Sequence, residues 1–168
     1  MSDKIRILFV CLGNIIRSPL AQHVFVHLAN QAGVGDKYLV DSAGTDNYHV
    51  GESPDSRMRR VASDYGLNYD GKARQFSNAD FDRFDLIIAM DMNNKSDLLR
   101  MVRGFEDKNK IYTMRSFDPE GHSTDGVPDP YYGGVDGFHV TYKIVERSCR
   151  GLLNALETGE LEITEGTE

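Results

Sequence analysis

The sequence predicts a single α/β domain in which a parallel sheet is covered by helices on both faces. Two observations carry this. Four short runs of strand character alternate with four segments of helical periodicity, the pattern of parallel strands joined through crossover helices. The chain's 168 residues suit one domain with a substantial core.

The first strand is expected at Ile5–Val10, a short unbroken apolar run apart from Arg6, as in strands buried on both faces. Gly13 allows a tight turn after it. Ser18 is placed as an N-cap and Pro19 as the first helical residue, opening a helix over Pro19–Ala32. Leu20, Ala21, Val24, Phe25 and Leu28 recur at helical spacing within it. Strand Tyr38–Ser42, helix Pro54–Tyr65, strand Asp85–Met90, helix Asn93–Arg103 and strand Lys110–Met114 follow. The last helix, Gly137–Leu156, aligns Val145, Cys149, Leu152, Leu153 and Leu156 on one stripe, which makes Cys149 a core residue. The irregular stretch Ser116–Asp136, rich in Gly, Pro and Asp, has the length of a functional or mobile loop. Residues 158–168 are glutamate-rich and read as a frayed acidic tail.

The chemistry is concentrated where the first strand runs into the first helix. There Cys11-Leu12-Gly13-Asn14-Ile15-Ile16-Arg17-Ser18-Pro19 places a thiol and a guanidinium six positions apart. In open α/β sheets ligands bind at the carboxyl ends of strands, which is where Cys11 falls. A loop entering a helix there aims backbone N–H groups and the helix N-terminus at one point, a setting for a tetrahedral dianion. Such a field favours a nucleophilic thiolate, and arginine supplies the planar fork that phosphate oxygens accept. The spacing alone is a weak signal, and a structural cysteine beside a surface arginine is the plain alternative; the strand–loop–helix context favours phosphate chemistry.

Composition narrows the classes. The net charge of −7, with no Lys/Arg stripe to offset it, argues against nucleic-acid binding. No apolar stretch is long enough to span a membrane, and no signal peptide is expected at the N-terminus. Two widely separated cysteines make no disulfide framework, and a nucleophilic thiol must stay reduced, so a cytoplasmic location is expected. Arg57, Arg59 and Arg60 read as the solvated face of a helix. His23 and His27 have metal-ligand spacing but no further ligand completes a set, so they too read as solvated. His49, His122 and His139 carry no argument.

Taken together, Val10 to Ala21 resembles the phosphate-binding loop of the low-molecular-weight protein tyrosine phosphatases. Asp41-Ser42-Ala43-Gly44-Thr45, Val50-Gly51 with Pro54-Asp55, Ala73-Arg74-Gln75, Met90-Asp91 with Asn94, and Val127-Pro128-Asp129-Pro130-Tyr131 continue the resemblance in order, over about residues 4–157. It implies a four-stranded sheet in the order 2-1-3-4, a catalytic domain over 1–157 with the tail at 158–168, and metal-independent hydrolysis of phosphotyrosine and small aryl phosphates without a cofactor. It implies Cys11 as nucleophile, Arg17 with the N–H groups of Leu12, Gly13, Asn14, Ile15, Ile16 and Ser18 as phosphate binders, and Asp129 as general acid and then base. Asn14, Ser18 and Ser42 would form a network that shapes the loop and reaches the thiolate. Leu12 would be an apolar lip, and Tyr48 and Tyr131 would flank a substrate ring. From the residues alone, the Asp129-Pro130 pair reads equally as a turn, and Asp118 and Asp125 are fallback acids. The expected partners are phosphotyrosine proteins, with no nucleic acid or membrane, and the chain is expected to be a monomer or weak homo-oligomer.

The chain departs from the family pattern at three places. Ile16 stands where most members carry a second cysteine that can form a disulfide with the nucleophile. Gly71 stands where many eukaryotic members carry histidine, and Gln22 replaces a usual Glu. Among rival functions, thioredoxin-coupled arsenate reduction needs two further cysteines, and only Cys149 is present. A protein arginine phosphatase would carry Thr at the position of Ile15, and a binding module without turnover would need neither nucleophile nor acid.

Overall fold

In the computed structural model, which describes residues 3–163, β1 (Ile5–Cys11) lies at the centre of the sheet because both its faces are apolar. Alternate residues of a strand point to opposite sides, so Ile7 and Phe9 enter one core while Leu8 and Val10 enter another. All four are fully buried, each stabilising the fold by about 1.5–3 kcal/mol. β1 pairs in parallel with β2 (Tyr38–Gly44), from Ile5 opposite Tyr38 to Cys11 opposite Gly44. Its other edge takes β3 (Leu86–Ala89), which pairs with β4 (Ile111–Thr113), so the order is β2-β1-β3-β4, as the resemblance implies.

The larger core joins one face of the sheet to α1 (Arg17–Gln31) and α6 (Val135–Thr158) through Val24, Phe25, Phe138, Val145, Cys149 and Leu152. Cys149 is fully buried on the stripe predicted for it. α2 (Ser56–Asp64) also packs on α6. The opposite face is covered by Phe76, Phe81, Phe84 and Leu98, drawn from α3 (Asp80–Arg83), α4 (Met92–Leu99) and the segments around them.

Local chemistry moved several boundaries. α1 begins at Arg17 with Ile16 as its cap residue and no side-chain cap, so Ser18 is not the N-cap expected. Its hydroxyl is engaged instead with Cys11 Sγ, 3.0 Å away. Asp55 caps α2, accepting from the Arg57 and Met58 N–H groups, and Asp91 caps α4 by accepting from Asn94 N–H at 2.7 Å. α4 stops at Leu99, short of the expected Arg103, whose backbone N–H and side chain are taken by Asp107 in α5 (Phe105–Lys108). α3 and α5 are single turns, too short to show a periodic apolar stripe.

The stretch 116–136 is long but tied down. Val127 N–H donates to Met90 O at the end of β3, Arg115 Nη1 to Gly126 O, and Thr141 Oγ1 of α6 to Pro128 O. At its start Asp118, fully buried as a side chain, pairs with Arg147 and Arg115, and the Arg147 hydrogen bond foremost holds its carboxyl below the usual carboxylate range. The acidic segment beyond α6 does not simply project: Leu161 and Ile163 pack against the core, and Leu161 N–H donates to Ala155 O. The rest of it, residues 164–168, lies outside the described residues.

Candidate active site

Residues 11–17 wrap from the end of β1 into α1. The turn requires a left-handed backbone at Asn14, with φ of 56°, a conformation that asparagine tolerates when its side chain is engaged. Here it is fully engaged: Nδ2 donates to Ser18 Oγ at 2.9 Å and Ser42 Oγ at 3.0 Å, while Oδ1 accepts Arg74 N–H at 2.9 Å. Ser42 donates in turn to Gln22 Oε1 at 2.7 Å, and Gln22 Nε2 donates to Val40 O. A glutamate carboxylate could accept from Ser42 but has no N–H to give Val40 O, so the amide at 22 has a physical use here. Asn14, Ser18 and Ser42, named together from the sequence, thus form one buried chain ending at Cys11. The Asn14 N–H lies 3.3 Å from Cys11 Sγ and donates to it.

The end of β2 backs the loop at close range. A Cβ on Gly44 would stand 2.7 Å from Leu12 O and 3.1 Å from Asn14 N, both backbone atoms without freedom to move. Gly44→Ala is therefore expected to push the loop outward and lower kcat/KM by roughly tenfold or more, since displacements near 1 Å cost on that scale. Steady-state kinetics on an aryl phosphate measure it; wild-type kinetics would mean that the loop is set without this contact.

Arg17 is almost fully buried, and its charge is balanced from two directions. Nη1 donates to Asp91 Oδ2 at 2.7 Å and Val127 O at 3.0 Å, and Nη2 lies 3.7 Å from Asp129 Oδ2. Burial pulls its pKa down, but Cys11, Asp91 and Asp129 outweigh this and raise it above the ordinary arginine value. It carries a fixed positive charge beside the sulfur.

Cys11, Arg17 and Asp129 share one cavity of about 430 Å³. Cys11, Gly13, Ile15, Ile16 and Arg17 contribute to it from the loop, and Leu12, nearly half exposed, stands at its edge. Asp129, Tyr48 and Tyr131, singled out in the sequence, line it together with Tyr132, Asp46 and His49. Ile15 and Ile16 are mostly buried in the core, which anchors the outer half of the loop. Neither fallback acid lines this cavity: Asp118 is paired with Arg147 and Arg115, and Asp125 accepts the His122 N–H within its own turn.

Several sequence readings change. His49 is not idle; it lines the cavity and pairs with Glu52 at 2.9 Å. His23 is not simply solvated; it stacks on Tyr69, and burial lowers its pKa. Arg57 leaves its helix face to reach Tyr131 O at 3.0 Å. Asp91, the partner of Arg17, enters the sequence reading only as part of the Met90-Asp91 match to the family, with no role assigned to it. Among the described residues no group of three or more His, Cys, Asp or Glu is placed to hold a metal ion, and no helix is long and apolar enough to cross a membrane.

Comparison with known proteins fits this geometry. The low molecular weight phosphotyrosine protein phosphatase family matches residues 6–161. A low molecular weight protein-tyrosine-phosphatase of Streptomyces coelicolor is 43% identical over 152 residues, 90% of this chain and 93% of that protein. The low molecular weight phosphotyrosine protein phosphatase of Sus scrofa is 41% identical over 150 residues, covering 88% and 92%. The crystal structure of a protein tyrosine phosphatase from Entamoeba histolytica superposes with a TM-score of 0.89 at 43% identity, covering 94% of this chain and all of that one. With a matching profile over nearly its whole length and such relatives, the chain belongs to the low molecular weight phosphotyrosine protein phosphatase family.

Proposed function

We propose that this protein hydrolyses phosphotyrosine in proteins, and small aryl phosphates, through a phosphocysteine intermediate. The observation that carries the reading is the meeting of Cys11, Arg17 and Asp129 in one cavity, although they come from two distant parts of the chain. The Cys11 thiolate attacks phosphorus; the bond to the phenolic oxygen breaks, and Asp129 gives that oxygen its proton. A water then attacks phosphorus, Asp129 takes its proton, the sulfur–phosphorus bond breaks and phosphate leaves. Arg17 and the loop N–H groups hold the three equatorial oxygens in both steps, the electrostatic term on which phosphoryl transfer chiefly depends.

Tyr48, Tyr131 and Tyr132 around the opening favour a flat aromatic leaving group. The aliphatic Ile15, set into the core, supports tyrosine over arginine phosphate. The need of this chemistry for a reduced thiol suits the cytoplasm. Hydrolysis of a chromogenic aryl phosphate in the presence of a chelator tests the reading. Turnover supports it, whereas phosphate binding without turnover indicates a binding module.

Ile16 leaves Cys11 without a second thiol at the far end of the same loop. The other cysteine, Cys149, is fully buried, donates to Ala21 O, and has its pKa driven up by burial. An oxidised Cys11 therefore lacks a resolving partner and passes on to sulfinic acid. Peroxide inactivation is expected to be largely irreversible to dithiothreitol, with the added oxygens mapped to Cys11 by mass spectrometry. Full recovery of activity after a stoichiometric pulse would contradict this.

A further inference from the structure

Asp129 lies in a stretch without regular secondary structure, so its place over the cysteine loop must be fixed by individual contacts. Upstream, Arg17 holds Val127 O and Thr141 holds Pro128 O. Downstream, Pro130 O accepts the Gly133 N–H at 2.8 Å within the segment itself, and the side-chain hydrogen bond from outside it comes from Arg57, whose Nη1 donates to Tyr131 O at 3.0 Å. The guanidinium also lies 5.3 Å from the Tyr131 ring centroid and 4.8 Å from that of Phe138 at the start of α6. Its Nε and Nη2 donate to the Asp55 carboxylate at 3.2 and 2.8 Å, and Asp55 N–H donates to Ile15 O of the cysteine loop at 2.8 Å. The Tyr131 N–H closes the path by donating to Asp129 Oδ1 at 3.1 Å.

We propose that Arg57 is a positioning residue for Asp129, tying the acid's downstream side to the loop that carries the nucleophile. The inference rests on the reading of Asp129 as the general acid. An Arg–Asp pair two residues apart on an exposed helix end contributes little as a surface ion pair. What distinguishes this one is the free Nη1, which reaches across to a backbone carbonyl two residues beyond the acid. A planar fork serves Asp55 and Tyr131 at once; an ammonium has no such geometry.

The test is the dependence of kcat/KM on the leaving group, which reports protonation by the acid and not general fold quality. Wild type, R57A, R57K, D129A and the R57A/D129A double variant are compared on phenyl and dinitrophenyl phosphates, with inhibition by inorganic phosphate measured for each. With phenyl phosphate, R57A is expected to fall roughly tenfold, the scale set by modest misplacement of a catalytic group. With dinitrophenyl phosphate, which departs without a proton, it stays within about twofold of wild type. Phosphate inhibition is unchanged, R57K stays nearer to R57A than to wild type, and adding R57A to D129A changes neither substrate's kcat/KM further. If D129A shows the leaving-group effect while R57A lowers both substrates equally, lowers neither or loses phosphate binding, the positioning role is overturned and the acid assignment stands. If D129A itself shows no leaving-group effect, the acid assignment falls and the proposal with it.

Discussion

Cys11→Ser is expected to abolish turnover, lowering kcat by roughly 10⁴-fold or more, the scale seen when a catalytic nucleophile is removed. Serine is close in shape to cysteine, and the position is buried, with Ser18 Oγ at 3.0 Å and Asn14 N–H at 3.3 Å. The loop should therefore keep its form, and Arg17 its pairing with Asp91. What is lost is the chemistry: a serine hydroxyl there has no general base within the network and is a poor nucleophile in its protonated form. Inorganic phosphate should still inhibit by binding, which separates loss of attack from loss of the site. Residual hydrolysis within a hundredfold of wild type would move the nucleophile to another residue.

The second large effect belongs to Asp129→Ala, expected to lower kcat/KM for phenyl phosphate by roughly 10²–10⁴-fold. Asp129 is considerably exposed, accepts from Tyr131 N–H, and approaches Arg17 Nη2 at 3.7 Å. Its removal deletes a negative charge beside the phosphate site, so phosphate should bind no more weakly than before. Because the same carboxylate serves both steps, the variant should also release phosphate slowly once formed on the enzyme. A loss below tenfold would assign proton transfer elsewhere, and neither Asp118 nor Asp125 lines the cavity.

The parts of this fold that were legible in the sequence are those whose causes are local. β1 announced itself because a strand buried on both faces must be apolar throughout, and the glycine, serine and proline after it marked a turn into a helix. The strand order was not written in the periodicity; it came with the resemblance, and the pairing of β1 with both β2 and β3 accords with it. Ser18 misled as a cap because a hydroxyl can serve either the helix or the thiol, and only tertiary position decides. The roles of Asp91 and Arg57 stayed hidden for a related reason. Asp91 enters the sequence reading only as a match to the family and Arg57 only as a solvated helix residue, while the partner that gives each its role lies far away in sequence at Arg17 or Tyr131. Gln22 became intelligible once its neighbours Ser42 and Val40 were in place.

The most direct measurement is the fate of the phosphoryl group itself. Enzyme denatured in acid during turnover of dinitrophenyl phosphate, whose departure needs no proton, then digested and mapped by mass spectrometry, should carry a single phosphoryl group on the Cys11 peptide, accumulating further in Asp129→Ala. Steady turnover with that peptide unmodified, or with the adduct on a different residue, would contradict the account.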